Sequence, residues 1–291
     1  MRRAKRSLNL STFTLVNTAF MVFVIVIMLY PLLNVLAVSL SSHTSYVQNK
    51  AMIFPTEIDL SSYKKIFSSS SAIEAMGNSI FVASVGTLCN MIVTVLLAFP
   101  LSKRRIQASG MLMKFIVFTM LFSGGMIPTY LVVKSTGLID SLWALIFPVL
   151  VSTYNLLVIK NFFESIPDSL EESFAIDGAG PMRTLMNLYI PLSIPSLAVV
   201  TMFYCVSHWN SFFNAMLYIN SKNKWTIMLF LREIITENTD VTGVMDPLGT
   251  TIYPKTMQCT TIVVTILPIL FVYPFVQRYF VKGVMIGAVK E

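Results

Sequence analysis

An all-α membrane bundle crossed by six transmembrane helices is the fold this sequence predicts, and three observations predict it. Hydrophobic residues make up 55% of the 291 and charged residues 12%, with a mean hydropathy of +0.72, more apolar surface than a soluble domain can hide. Six uncharged runs approach or exceed the roughly 20 residues that a helix needs to cross a bilayer. The cations gather beside the ends of those runs, where topology rather than nucleic acid explains the net charge of +7.

Taken in order, the runs predict spans at about 12–40, 75–101, 113–133, 140–160, 188–219 and 256–277, in one transmembrane domain from 12 to 291. Residues 1–11, with Arg2, Arg3, Lys5 and Arg6, form a short basic arm that we expect in the cytoplasm. A signal peptide is the other reading, but the apolar run after the arm is long, passes through Pro31 and lacks an A-x-A-like cleavage site. A cytoplasmic N-terminus puts Lys103, Arg104, Arg105 and Lys114 inside, then Lys160 and Arg183, then Arg278, Lys282 and Lys290. Lys134 alone is left in the short outer loop, and the even number of spans returns the C-terminus to the cytoplasm. The two long outer loops, 43–74 and 221–255, are expected to hold short elements. The first is Ser-rich, and the second contains Gly243, Asp246-Pro247 and Gly249.

Several function classes are excluded or disfavoured. There is no G-x-x-x-x-G-K-[ST] phosphate loop, so the chain is not expected to hydrolyse ATP itself. Cys89, Cys205 and Cys259 lie in different spans without a C-x-x-C pair, which argues against both a metal site and a disulfide framework. Two histidines, His43 and His208, supply little for a catalytic constellation. The span cores contain no Asp, Glu, Lys or Arg, whereas ion-coupled carriers keep such groups in their spans. That favours a motor outside the chain, with an ion-driven carrier as the alternative and a non-transporting scaffold as a third class.

The segment 161–188 is polar, helix-forming and placed between two long apolar runs. Ser169-x-x-Glu172 reads as a capping box, followed by a helix from Leu170 to Asp177. Gly178 supplies the turn, and Pro181 opens the next helix. Its apolar side chains, Phe174, Ile176, Met182, Leu185 and Met186, are costly at a water-facing corner unless a groove on another protein covers them. The alternative is an amphipathic connector lying on the lipid interface.

The residues E-S-F-A-I-D-G-A at 172–179 and the downstream Pro191 and Pro195 resemble the coupling loop of bacterial ATP-binding-cassette importer permeases. That loop runs E-A-A-x-x-D-G-A, five residues, F-x-x-I-x-L-P-x-x-x-P. Ser173 and Phe174 replace the two alanines, and Leu185, Leu188 and Ile190 replace the Phe, Ile and Leu. The run from Gln277 to Val284 and the segment Trp209-Asn210-x-Phe212-Phe213 are similar to the carbohydrate branch, the maltose-type permeases. The resemblance implies a type I importer fold in which the loop docks on an ATPase through Glu172, Phe174, Ala175, Asp177, Gly178, Ala179, Met182 and Leu185. It further implies a second permease subunit, as a heterodimer, and two ATPase subunits that carry the ATP and magnesium. An extracytoplasmic sugar-binding protein would deliver a sugar or oligosaccharide, and no cofactor is expected on this chain.

For the substrate path, span 5 offers His208, Trp209, Asn210, Phe213 and Asn214, with Asn155 in span 4. Trp209 and Phe213, four apart, are expected to share a face, either as an aromatic sugar platform or as ordinary packing or an interfacial aromatic belt. His208 reads either as a ligand for a polar solute or as a histidine satisfied by a neighbouring helix. Asn78, Asn90 and Asn155 read either as path residues or as interhelical hydrogen-bonding groups.

Overall fold

The computed structural model of the protein describes residues 12–103, 109–237, 244–245, 251–252 and 254–288. The arm 1–11, the pair Arg104 and Arg105, Gly243, Asp246-Pro247 and Gly249 lie outside the described residues, as do the side chains from Arg278 to Ala288. In order, the helices are α1 Thr12–Ser39, α2 His43–Gln48, α3 Ser61–Ser68, α4 Ser70–Leu101, α5 Ser109–Leu121, α6 Met126–Ser135, α7 Thr153–Glu164, α8 Asp168–Ile176, α9 Pro181–Thr184, α10 Ile190–Leu192, α11 Ile194–Trp209, α12 Phe212–Tyr218, α13 Ile227–Glu237 and α14 Pro254–Ala288. One π-helical turn, Leu185–Tyr189, joins α9 to α10. Two short strands, β1 Val244–Met245 and β2 Thr251–Ile252, pair antiparallel and are a small departure from an all-helical chain.

Among the described residues, three helices are long and apolar enough to cross a membrane unbroken: α1, α4 and the first part of α14, Pro254–Pro274. Three more crossings exist only if each bent pair counts as one span, which brings the total to six. The run at 113–133 is therefore not the straight helix its hydropathy suggests, because α5 and α6 meet at 113°. At the break Gly125 has φ 85° and ψ 178°, a conformation essentially reserved for glycine. The fourth run begins as 3₁₀ turns, Leu142–Leu145 and Phe147–Val149, and bends by 50° into α7. The fifth bends by 85° between α10 and α11, where Pro191 and Pro195 flank Ser193 and remove backbone donors.

The chain divides into two compact units. The smaller one, residues up to Ile66 with Ile234–Val264, buries the end of α1 (Ala37 and Val38) with Met52 and Cys259. Thr260 Oγ1 donates to Ser39 O at 3.3 Å, and Ser39 Oγ lies 2.8 Å from the Tyr63 hydroxyl. The larger unit is built on α4, whose buried stripe Ala72, Ala75, Ser79, Ala83, Gly86, Asn90, Thr94 and Ala98 recurs every three or four residues. Small side chains let helices approach closely where lipid supplies no hydrophobic drive. Against this stripe, Leu156, Ile159 and Phe163 of α7 and Val200 and Tyr204 of α11 form the core.

Candidate functional site

The segment between α7 and α11 is a corner whose shape follows from its sequence. Helix α8 starts at Asp168 behind Pro167, with Asp168 and Glu171 in its first turn, where carboxylates suit the helix dipole. The expected Ser169–Glu172 capping box is not formed, because Ser169 already lies within the helix and its carbonyl accepts from Ser173 Oγ at 2.9 Å. At the other end, Ala179 N donates to Phe174 O at 2.9 Å and Gly178 N to Ala175 O at 3.1 Å, with Gly178 at φ 72°. This is the Schellman closure that glycine permits. Asp177 closes the turn through its backbone N–H, which donates to Ser173 O at 3.1 Å. Its carboxylate makes no hydrogen bond to the described residues. Pro181 opens α9, as its fixed φ favours.

The corner's apolar side chains split into two sets. Ile176 is 86% exposed and Met182 57%, with Leu170 and Met186 also exposed. Leu185, by contrast, is 2% exposed and belongs to the chain's own core, and Phe174 packs against that core half-buried. Leu185, expected on the docking surface, is thus taken up by internal packing, while Phe174 is shared between that core and the surface. Glu172, Ala175, Asp177 and Gly178 are exposed, and Ala179 is half-buried.

Beneath the corner lies a charged cluster with no local sequence signal. Lys103, just past the end of α4, donates its ammonium to Glu171 and to the Tyr189 hydroxyl, and its Nζ sits 4.0 Å from the centroid of the Tyr189 ring. The Tyr189 hydroxyl in turn donates to Glu171 Oε2 at 2.9 Å. Phe99 and Phe163 meet the Tyr189 ring edge-on at 5.1 and 5.3 Å. The cluster spans residues 68 and 86 apart in sequence.

A second site is a cavity of about 500 Å³ between α7, α11 and the 3₁₀ turns before α7. It brings together Asn155 and His208, both proposed from sequence, with Asn90, Ser152, Tyr154, Phe203, Tyr204 and Ser207. Much of its polar chemistry is already satisfied between helices. His208 Nε2 lies 3.1 Å from Asn90 Oδ1, and Asn90 Nδ2 donates to Val149 O at 2.8 Å. The Tyr204 hydroxyl accepts from Ser152 N at 3.1 Å and lies 2.8 Å from Thr94 Oγ1. What faces the open space is Tyr154, 55% exposed, with Phe203 beside it at 6.3 Å between ring centroids, and Ser207.

The expected Trp209–Phe213 platform is not present. Trp209 ends α11, and the helix is interrupted at Asn210 and Ser211 before α12, which holds Phe213, begins. Trp209 is buried and donates Nε1–H to Thr265 O at 3.2 Å, whereas Phe213 is exposed. Asn210 is exposed and Asn214 half-buried, and neither lines the cavity. Asn78 joins elements by donating to Asn223 O and Trp225 O at 2.8 and 3.0 Å.

No family model matches the chain. The polygalacturonan/rhamnogalacturonan transport system permease protein YtcP of Bacillus subtilis (strain 168) is 40% identical over 280 residues, covering 96% of this chain and 98% of that one. Protein LplC of the same organism is 42% identical over 281 residues, 96% of this chain and 95% of its own length. Among solved structures, a bacterial ABC transporter involved in the import of the acidic polysaccharide alginate contains a chain that is 30% identical, with a TM-score of 0.87 and coverage of 96% of this chain and 100% of that one. Similarity at this level over whole lengths shows common descent, and the chain belongs to the family of permease subunits of bacterial carbohydrate ABC importers.

Proposed function

We propose that this chain and a second, different permease line one import path for a uronate-containing oligosaccharide, driven by two ATPase subunits to which this chain couples through the loop 161–188. The single observation that carries this reading is the whole-length identity to a polygalacturonan/rhamnogalacturonan permease. The alginate importer at 30% identity points to the same acidic substrate class. In this reading both termini are cytoplasmic and the chain sits in the bacterial cytoplasmic membrane among lipid, with its corner in water. Glu172, Ala175, Ile176, Asp177, Gly178, Ala179 and Met182 meet an ATPase groove, and ATP and magnesium bind on the ATPases. An extracytoplasmic binding protein delivers the sugar.

The wall of the path is the cavity of Tyr154, Phe203, Ser207, His208 and Asn155. An aromatic pair covers the apolar face of a pyranose ring, and the exposed Ser207 hydroxyl beside it serves the sugar's oxygens. Asn90 and His208 act by fixing that wall between α4 and α11.

The test is to purify the assembled importer from its host and heat its binding protein with oligogalacturonides, alginate oligosaccharides and neutral malto-oligosaccharides. A rise in melting temperature with a uronate oligosaccharide, together with stimulated ATP hydrolysis, is the expected result. Stabilisation by the neutral series alone overturns the substrate class, and absence of an ATPase from the purified complex overturns the coupling.

A further inference from the structure

We infer that Lys103, Glu171 and Tyr189 form the joint through which the coupling corner drives α4, making them positioning residues for transport rather than local stabilisers. The inference rests on the coupling reading above and names the part of this chain that passes the stroke on.

Chain connectivity ties the corner only to α7 on one side and to the π turn, α10 and α11 on the other. Helix α4, the spine of the larger unit, is not adjacent to the corner in sequence, so a displacement of α8 reaches it only through side chains. The Lys103 ammonium supplies such a route. It pairs with Glu171 in the first turn of α8, while its aliphatic stem leaves α4 one residue past the cap, Ser102. Tyr189 holds the third corner by donating to the same Glu171 oxygen from the π turn. Its ring stacks under the ammonium and is gripped edge-on by Phe99 of α4 and Phe163 of α7. Four elements therefore meet on one partly desolvated ion pair, whose side chains keep only 17% and 33% of their exposure.

Two features mark the cluster as a moving joint rather than a static brace. A π turn is a strained irregularity that recurs at functional positions, and here it carries Tyr189. Just beyond, the 85° bend places Ser193 fully buried with its hydroxyl unpartnered, an unmet donor that a second arrangement of the bend can satisfy. The ion pair is directional and charge-assisted, so it holds α8 and the end of α4 in one register while the bend beside it changes.

The test uses the whole importer in proteoliposomes, with a bimane label on Ser207→Cys in a background in which the three native cysteines are alanine. Iodide quenching of the label reports opening of the cavity and needs no identified sugar. In the parent complex, trapping with ATP and vanadate is expected to change the quenching. In Glu171→Gln that change is expected to shrink about tenfold, the equivalent of one charge-assisted bond, while the ATPases stay bound and hydrolyse ATP. Tyr189→Phe, which keeps the ring, gives a smaller loss and decides the matter if Glu171→Gln fails to assemble.

The double variant Lys103→Met/Glu171→Gln separates positioning from stability. Removing both charges removes the penalty of an unpaired buried ion, so assembly and melting temperature recover. Quenching is expected to stay uncoupled from ATP. Recovery of the ATP-dependent change along with stability, or its retention in both Glu171→Gln and Tyr189→Phe, overturns the joint. A parent complex with no ATPase, or with no ATP-dependent change, counts against the coupling reading itself and takes the joint with it.

Discussion

Two glycines carry opposite lessons about what a side chain meets. At Gly178 an added Cβ meets nothing within 4 Å among the described residues beyond its chain neighbours, yet φ is 72°, so alanine there costs about 1–2 kcal/mol of backbone strain and little else. Gly178→Asp adds charge and bulk on the outer face of the corner, where the ATPase of the proposed assembly is what feels them. We expect Gly178→Ala to keep most uptake and Gly178→Asp to abolish it with the protein still in the membrane, read as uptake and as ATPase retained on purification. At Gly86 the obstacle is internal, since a Cβ falls 2.7 Å from Nε2 and 2.8 Å from Cε1 of the His208 ring. Gly86→Ala is expected to destabilise by about 1–3 kcal/mol through overpacking. Adding His208→Ala removes the clash, so the double variant should melt higher than additivity of the two single changes allows.

Helix breaks and loop staples give the element-scale tests. Gly125→Ala forces a Cβ into a region essentially closed to it, a strain of order 1–3 kcal/mol. Gly124→Ala meets only Pro128 Cβ at an ordinary 3.8 Å. The first should lower the melting temperature and the second leave it nearly unchanged. Asp140, itself at φ 59°, staples the turn after α6 to the segment after α12. Its carboxylate accepts from Ser221 Oγ at 2.6 Å, Ser221 N at 2.8 Å and Lys224 Nζ at 3.1 Å. Bonds from Ser221 and then Lys224 hold this carboxyl well below the usual carboxylate range. A depressed folded value stabilises above the unfolded one and is lost as pH falls through the folded one. Amide exchange at Asn220 and Ser221 should therefore show no contribution from this staple's titration between about pH 5 and 8, once intrinsic exchange is divided out, and rise throughout in Asp140→Asn.

These same elements show what was legible beforehand. Apolar run length exposed the three unbroken spans and the three bent pairs that bring the number up to six if each pair is one span, because lipid forbids unsatisfied backbone across its core, and Asp-Gly with Pro181 exposed the corner because turn chemistry is local. The bends at Gly125 and Ser193 were not legible, since hydropathy measures span length and not its path. Nor was the Tyr154–Phe203 wall, nor Lys103–Glu171, since each pairs residues from different helices with no periodicity to join them. Trp209 and Phe213 misled for a related reason, since i,i+4 spacing means one face only while the helix continues.

At the scale of the molecule, the chain alone leaves its polar cavity open at the side. Apolar faces such as that of α1, exposed along most of its length, are at ease against lipid and do not by themselves demand a partner. The cavity differs, because the Ser207 hydroxyl is exposed there on a helix of the fifth apolar run, and such a group is better covered by protein or water than by lipid. In the assembly proposed above, a second permease covers this face and turns the half-cavity into a path. A photo-reactive benzoylphenylalanine at Phe203, beside Tyr154, should capture that permease in the assembled importer. The same group at Phe20, on the exposed surface of α1, serves as the comparison for lipid. Capture of lipid alone at both positions means that the Tyr154–Phe203 face lies on the bilayer and that the sugar passes elsewhere. Capture of the second permease at Phe203, weakened when an importable oligosaccharide is added, places both protein and substrate on the same wall.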